Sequence, residues 1–307
     1  MIKFLAIPTV LLAIASTSVS AQVSNGFVNI SANDGSSLFD VPFNPTGIPL
    51  LSRFAFELAD GDNHLHIISI TPGLPSGMMR LDFSDKDANN LPIIDFDDDD
   101  YFFNITHFDI NDSRVQQVTR GLDICSEQGK CTVQLDPPAG TFFDFVFVLI
   151  GFQLQFRADI DHHIREVGIL EDNGLLTVSF RDKHFDPSDD TILWSVQYAW
   201  VPRNQFSDIG ELTGTRDKNE VPGVIPVGRA VLRGFRFEYK DYFTSGDDHH
   251  LKKIGVLPTT GGTVLMSYRD QNGDDGFDWQ YRWAILKTRT IKWPPTLEPP
   301  VVNKPTD

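Results

Sequence analysis

One pattern of residues occurs three times along this chain, so any fold it adopts has to give three related stretches comparable places. "GFQLQFRADIDHHIREVGILEDNGLLTVSFRD" from Gly151 aligns with "GFRFEYKDYFTSGDDHHLKKIGVLPTTGGTVLMSYRD" from Gly234, and "FAFELADGDNHLHIISITPGLPSGMMRLDFSD" from Phe54 is a more divergent copy. Phe54, Phe152 and Phe235 correspond, as do Phe56, Leu154 and Phe237. Asp62, Asp161 and Asp248 each stand two residues before a histidine, His64, His163 and His250. Each copy closes on an aromatic residue and an aspartate: Phe83 and Asp85, Phe180 and Asp182, Tyr268 and Asp270. The separation from His to Asp is 21, 19 and 20 residues, and that near-constancy argues against chance similarity. Fixed-period self-similarity of this kind marks one supersecondary unit used repeatedly.

Each copy reads as strands. "FQLQF" and "FRFEY" alternate apolar and polar residues, the period-2 pattern of a half-buried strand. "LTVSFRD" and "TVLMSYRD" alternate likewise and follow glycine-bearing turns, "EDNG" and "PTTGG". The closing stretches "LWSVQYAWVP" and "FDWQYRWAILK" are rich in the aromatic and β-branched residues that strands favour. The repeat also extends backwards, through "NPTGIPLLSRF", "DPPAGTFFDFVFVLIGF" and "VPGVIPVGRAVLRGF". The expectation is an all-β protein of three tandem antiparallel β-sandwich units over residues 22–110, 111–203 and 204–289, with pseudo-threefold packing as one arrangement open to them. A single larger β structure that merges the copies is the alternative. The tail at 290–307, "WPPTLEPPVVNKPTD" for most of its length, is too proline-rich for a central strand.

The first 21 residues, "MIKFLAIPTVLLAIASTSVSA", place a lysine ahead of an apolar run and end on small residues, the pattern of a secretory signal cleaved after Ala21. No later apolar run reaches the roughly 18 residues that a membrane span requires. The expected location is therefore extracellular or periplasmic. In an oxidising compartment, Cys125 and Cys131 in "CSEQGKC" suit a structural disulfide pinning a hairpin or loop. The net charge of −16 repels phosphate backbones, which counts against nucleic acid as a partner. Of the 42 acidic residues only 8 are Glu, leaving 34 Asp, and Asp is the residue of turns, caps and cation-binding loops.

Two sets of polar residues carry candidate chemistry. The first is the loop after each closing strand. In the third copy Asp270, Asn272, Asp274 and Asp278 fall on the alternating rhythm by which a loop turns oxygens towards a hard cation such as calcium. The second copy offers Asp182 and Asp186 with His184 between them, and the first offers Asp85 and Asp87. The same residues equally suit a hairpin loop held by side-chain-to-backbone turns. The second set is His64, His163 and His250. If the copies close into a ring, three histidines can share a metal. The sequence alone favours the plainer reading, that each histidine bonds across its turn, or in the second copy to Asp182. The hydrophobic parity on either side of Arg165 and Glu166 breaks, which predicts a β-bulge there.

Trp194 and Trp279, at the loop edges of the closing strands, are candidate stacking surfaces for a sugar ring if they reach solvent. No nucleophile elbow, zinc-protease signature, phosphate loop or dinucleotide fingerprint occurs. The reading is a non-enzymatic exported binding module recognising a glycan or a cell surface, with calcium as the candidate cofactor. The alternatives are a structural protein of a surface layer, appendage or particle, and a carbohydrate-active hydrolase using two unannounced carboxylates.

Overall fold

A computed structural model describes residues 26–32, 38–58, 64–73, 77–85, 101–125, 129–138, 143–157, 162–183, 191–216, 220–240, 250–270 and 276–287. The expected signal at 1–21, the tail at 290–307, and Asp87, Asp186, Asn272 and Asp274 lie outside the described residues. The first segment supplies β1 (Gly26–Ala32), β2 (Leu38–Pro42), β3 (Ile48–Leu58), β4 (Leu65–Gly73), β5 (Met78–Asp85) and β6 (Tyr101–Ile110). The second supplies β7 (Gln116–Cys125), β8 (Lys130–Gln134), β9 (Phe145–Phe156), β10 (Ile164–Asp172), β11 (Leu175–Asp182) and β12 (Ile192–Pro202). The third supplies β13 (Phe206–Arg216), β14 (Glu220–Val224), β15 (Arg229–Tyr239), β16 (Leu251–Pro258), β17 (Thr263–Asp270) and β18 (Phe277–Leu286). The chain is thus all-β, as the alternating patterns predict.

The eighteen strands form three antiparallel six-stranded sheets, in the orders β1-β6-β3-β16-β17-β14, β13-β18-β15-β10-β11-β8 and β7-β12-β9-β4-β5-β2. Every sheet joins three strands of one segment to three of another. The first sheet unites segments one and three, the second unites three and two, and the third unites two and one. Hydrogen bonding therefore crosses the boundaries near 110 and 203, and the three segments interlock in a closed cycle. The two halves of a sheet meet through one ladder each: β3 with β16, β15 with β10, and β9 with β4. Each of these ladders has four residue pairs. The ladders within a segment are longer, as in the eleven pairs of β9 with β12 and the ten of β15 with β18.

The expected bulge is present. The register of β10 on β11 shifts between Ile164 and Glu166, and the same shift occurs between Leu65 and Ile67 and between Leu251 and Lys253. In the second segment Asn173 (φ 50°) and Gly174 (φ 86°) form the tight turn between β10 and β11, the left-handed conformation that the "EDNG" signal calls for. Cys125 and Cys131 are bonded. They bridge a loop and not a hairpin, since β7 pairs with β12 and β8 with β11, in different sheets.

The core runs through all three segments. The rings of Phe54, Phe152 and Phe235 pack against one another with centroids 4.8–5.5 Å apart, and each is 0 % exposed. A smaller cluster includes Leu50, Val148, Ile150 and Val231 on the opposite faces of the same strands, which explains why "FVFVLIGF" is an unbroken apolar run. Gly151 is required where β9 passes close beneath β4, because a Cβ there would lie 2.2 Å from the Ile70 carbonyl oxygen.

His107 on β6 is buried beside this second cluster, with Nε2 2.9 Å from the Ile150 carbonyl oxygen of the second segment. Burial lowers its pKa to about 4, against the opposing pull of that carbonyl and of Asp109. A histidine held neutral in the fold and titrating normally when unfolded leaves stability whole above pH 6.5, and stability falls as the pH drops towards 4. Urea denaturation at pH 7.0 and 4.5 should show about 2–3 kcal/mol of acid destabilisation that His107→Gln removes.

Candidate metal centre

The three repeated histidines come together. Each immediately precedes the strand that crosses into the next sheet: His64 before β4, His163 before β10 and His250 before β16. The ring centroids lie 4.7 Å apart for His64 and His250, 5.0 Å for His163 and His250, and 5.2 Å for His64 and His163. The rings are steeply tilted to one another, by 67–79°. One ligating nitrogen from each lies within 4.8 Å of the other two, and all three side chains are half-buried. Among the described residues this is the one group of three or more metal-ligating side chains that converges.

Local structure explains the convergence. The residue after each histidine, Leu65, Ile164 or Leu251, is 0 % exposed and fixes the direction of the strand. Each of these residues pairs in register with the aspartate that closes the same copy, Asp85, Asp182 or Asp270. The near-constant His-to-Asp spacing is thus the length of a two-stranded hairpin. In the second segment the Lys183 amide also donates to the His163 carbonyl at 2.8 Å, anchoring the backbone on which the imidazole stands.

In the second copy a neighbouring histidine reaches Asp182. His162, not His163, reaches Asp182, with Nδ1 3.0 Å from Oδ2, and it stacks on Phe156 at 3.7 Å between centroids and 14° between planes. Both His162 and Asp182 are buried, so this pair braces the turn from within. The copies carried a signal for this division of labour. The position before the triad holds Asn63, His162 and His249, whereas the triad position is always histidine.

The three imidazoles stand about 5 Å apart, each presenting a nitrogen to the other two. They suit a divalent cation, which three imidazole nitrogens hold jointly. Imidazole is a ligand for zinc, copper, nickel and iron, whereas calcium takes oxygen. Zinc–nitrogen bonds of about 2.0–2.1 Å in a tetrahedral arrangement set ligand nitrogens about 3.3 Å apart. From the present spread the rings need to draw in by no more than about 1.5 Å, which side-chain rotation supplies.

The other candidates sit elsewhere. Trp194 is 1 % exposed and Trp279 9 %, so neither offers a face for a sugar. The requirement that they reach solvent fails because both belong to the main core, on strands whose rings point inward. Asp182 and Asp270 are buried, at 7 % and 2 % exposure. Asp278 accepts a hydrogen bond from the Thr215 hydroxyl across the pairing of β13 with β18. Asp85 ends β5. Asp182, Asp270 and Asp278 do not join the histidine cluster. No helix among the described residues is long and apolar enough to cross a membrane. No protein-family model matches the sequence, and no curated protein matches it.

The core placement of the tryptophan fixes what its removal does. Trp194→Ala should cost about 3–5 kcal/mol of stability, as truncation of a large buried aromatic does, read as a lower urea midpoint.

Proposed function

We propose that this chain is an exported, non-enzymatic binding module whose working centre is a divalent transition-metal site formed by His64, His163 and His250. The convergence of one nitrogen from each histidine to within 4.8 Å carries this reading. Three further facts support it. The donors are of one kind, imidazole nitrogen, which favours zinc or its first-row neighbours over calcium. The cluster is half-buried, so it is reachable from outside yet partly dry. The chain's charge of −16 also draws cations towards it.

Three protein ligands leave a metal with room for at least one more donor, the arrangement by which a bound ion can also hold an outside molecule. For that role we propose a glycan or cell-surface ligand attached through the metal. A stacked tryptophan would not serve, since both candidates are in the core. A bonded cysteine pair accords with an oxidising compartment, and the first 21 residues supply the export signal.

Isothermal titration of the mature protein with zinc should give one site per chain. Each of His64→Ala, His163→Ala and His250→Ala should weaken that site by at least about tenfold. Calcium should not compete with zinc for it. Absence of zinc binding, or binding that survives replacement of all three histidines, overturns the proposal. A glycan array probed with and without zinc tests the proposed partner separately.

A further inference from the structure

We infer that the metal at this site acts as a clasp on the ring of segments: it binds well only when the three ladders between segments are formed, and it then holds them shut. The inference rests on the metal-site reading above and assigns that site a regulatory role.

The weakest joints in the sheets lie between segments. Each sheet is two half-sheets held together by a single four-pair ladder, β3 with β16, β15 with β10, or β9 with β4. Nothing covalent reinforces these joints, because the disulfide spans Cys125 to Cys131 within one segment. Local opening in proteins concentrates where few backbone bonds and few contacts must break. By ladder length the joints between segments are the shortest in the sheets, with four pairs each against five in the shortest ladders within a segment.

The ends of those ladders differ. At one end the last pairs are Val256 with Phe54, Ile70 with Phe152 and Ile169 with Phe235. There the three phenylalanines pack together and close the end with apolar contact. At the other end the first pairs are Lys253 with Glu57, Ile67 with Gln155 and Glu166 with Glu238, and each lies three residues after a triad histidine. Three half-buried imidazoles have no comparable apolar gain from meeting. A metal adds attraction at that end, and it does so between three points of the chain that are 99 and 87 residues apart in sequence (163 − 64 and 250 − 163). Ligands gathered from three segments exist as a set only in the closed ring, so binding and closure are coupled.

Among the described residues, two of the three joints carry ion pairs near the histidine end. Glu166 is held by Arg236 at 2.6 Å and Arg181 at 3.0 Å, and Glu238 by Arg165 at 3.0 Å. Glu57 is held by Arg269 at 2.6 Å and Lys253 at 3.1 Å. At the joint of β9 with β4 the same positions hold Gln155 and Ile67. That joint depends most on the clasp.

Residue-resolved amide exchange on the mature protein tests this. Without metal, the amides of Ile67–Ile70, Glu166–Ile169 and Lys253–Val256 that face the neighbouring segment should exchange at least tenfold faster than those joining β9 to β12, with the widest gap at Ile67–Ile70. Zinc should close the gap to within about threefold, and His163→Gln should keep it open in the presence of zinc. If zinc binds by titration but the two sets of amides exchange alike without it, or the gap persists with it, the clasp is wrong and the metal site stands. If zinc does not bind at all, the metal site itself is wrong.

Discussion

Four-pair ladders between consecutive segments are the constraint on which the rest of this structure depends. Each segment carries two three-stranded half-sheets, one ending on the strand before its histidine and one beginning on the strand after it. Neither half finds its sheet partner within its own segment. The backbone groups along those two strands have to be satisfied, and a buried donor or acceptor left unmade costs about 1–3 kcal/mol. Pairing with the next segment is how the chain meets that demand. Because segment one lends to three, three to two and two to one, the only solution that leaves no half-sheet over is a closed ring.

The interior follows from that closure. Phe54, Phe152 and Phe235 occupy the same place in their copies and meet in the core, and the same logic brings His64, His163 and His250 together one ladder length away. The bulges at Ile164–Glu166 and at the equivalent places in the other segments shift the alternation just past each histidine. Apolar residues from Leu65, Ile164 and Leu251 onward can then stay inside while the histidine before them remains half-exposed. A polar cluster at the edge of a core is held in place by the strands beneath it.

Much of this was legible in the sequence. Period-2 alternation gave the strands, the turn residues gave the hairpins, and the parity break at Arg165 and Glu166 gave the bulge. The repeat picked out the three histidines as equivalent. The partner of each half-sheet was not legible, because alternation says that a strand is half-buried and not which strand lies beside it. The role of His163 was obscured by the same gap. Within one copy, Asp182 looks like its natural partner, and only the assembled ring shows that His162 takes Asp182 while His163 turns to its two counterparts. The tryptophans misled for a different reason: a stripe of aromatic rings down one strand looks the same whether that face meets water or the core.

The cyclic lending of strands bears on what a shorter chain could do. A polypeptide of one segment would fold its two half-sheets and still present two unsatisfied strands facing in different directions. It could not pair them with each other without leaving the sheets they belong to. Two further molecules of the same polypeptide would complete it, each passing one half-sheet to the next, and the clustered histidine of each would meet the other two at the junction. The long chain gathers within one molecule the strand pairings that a shorter polypeptide would have to make between molecules.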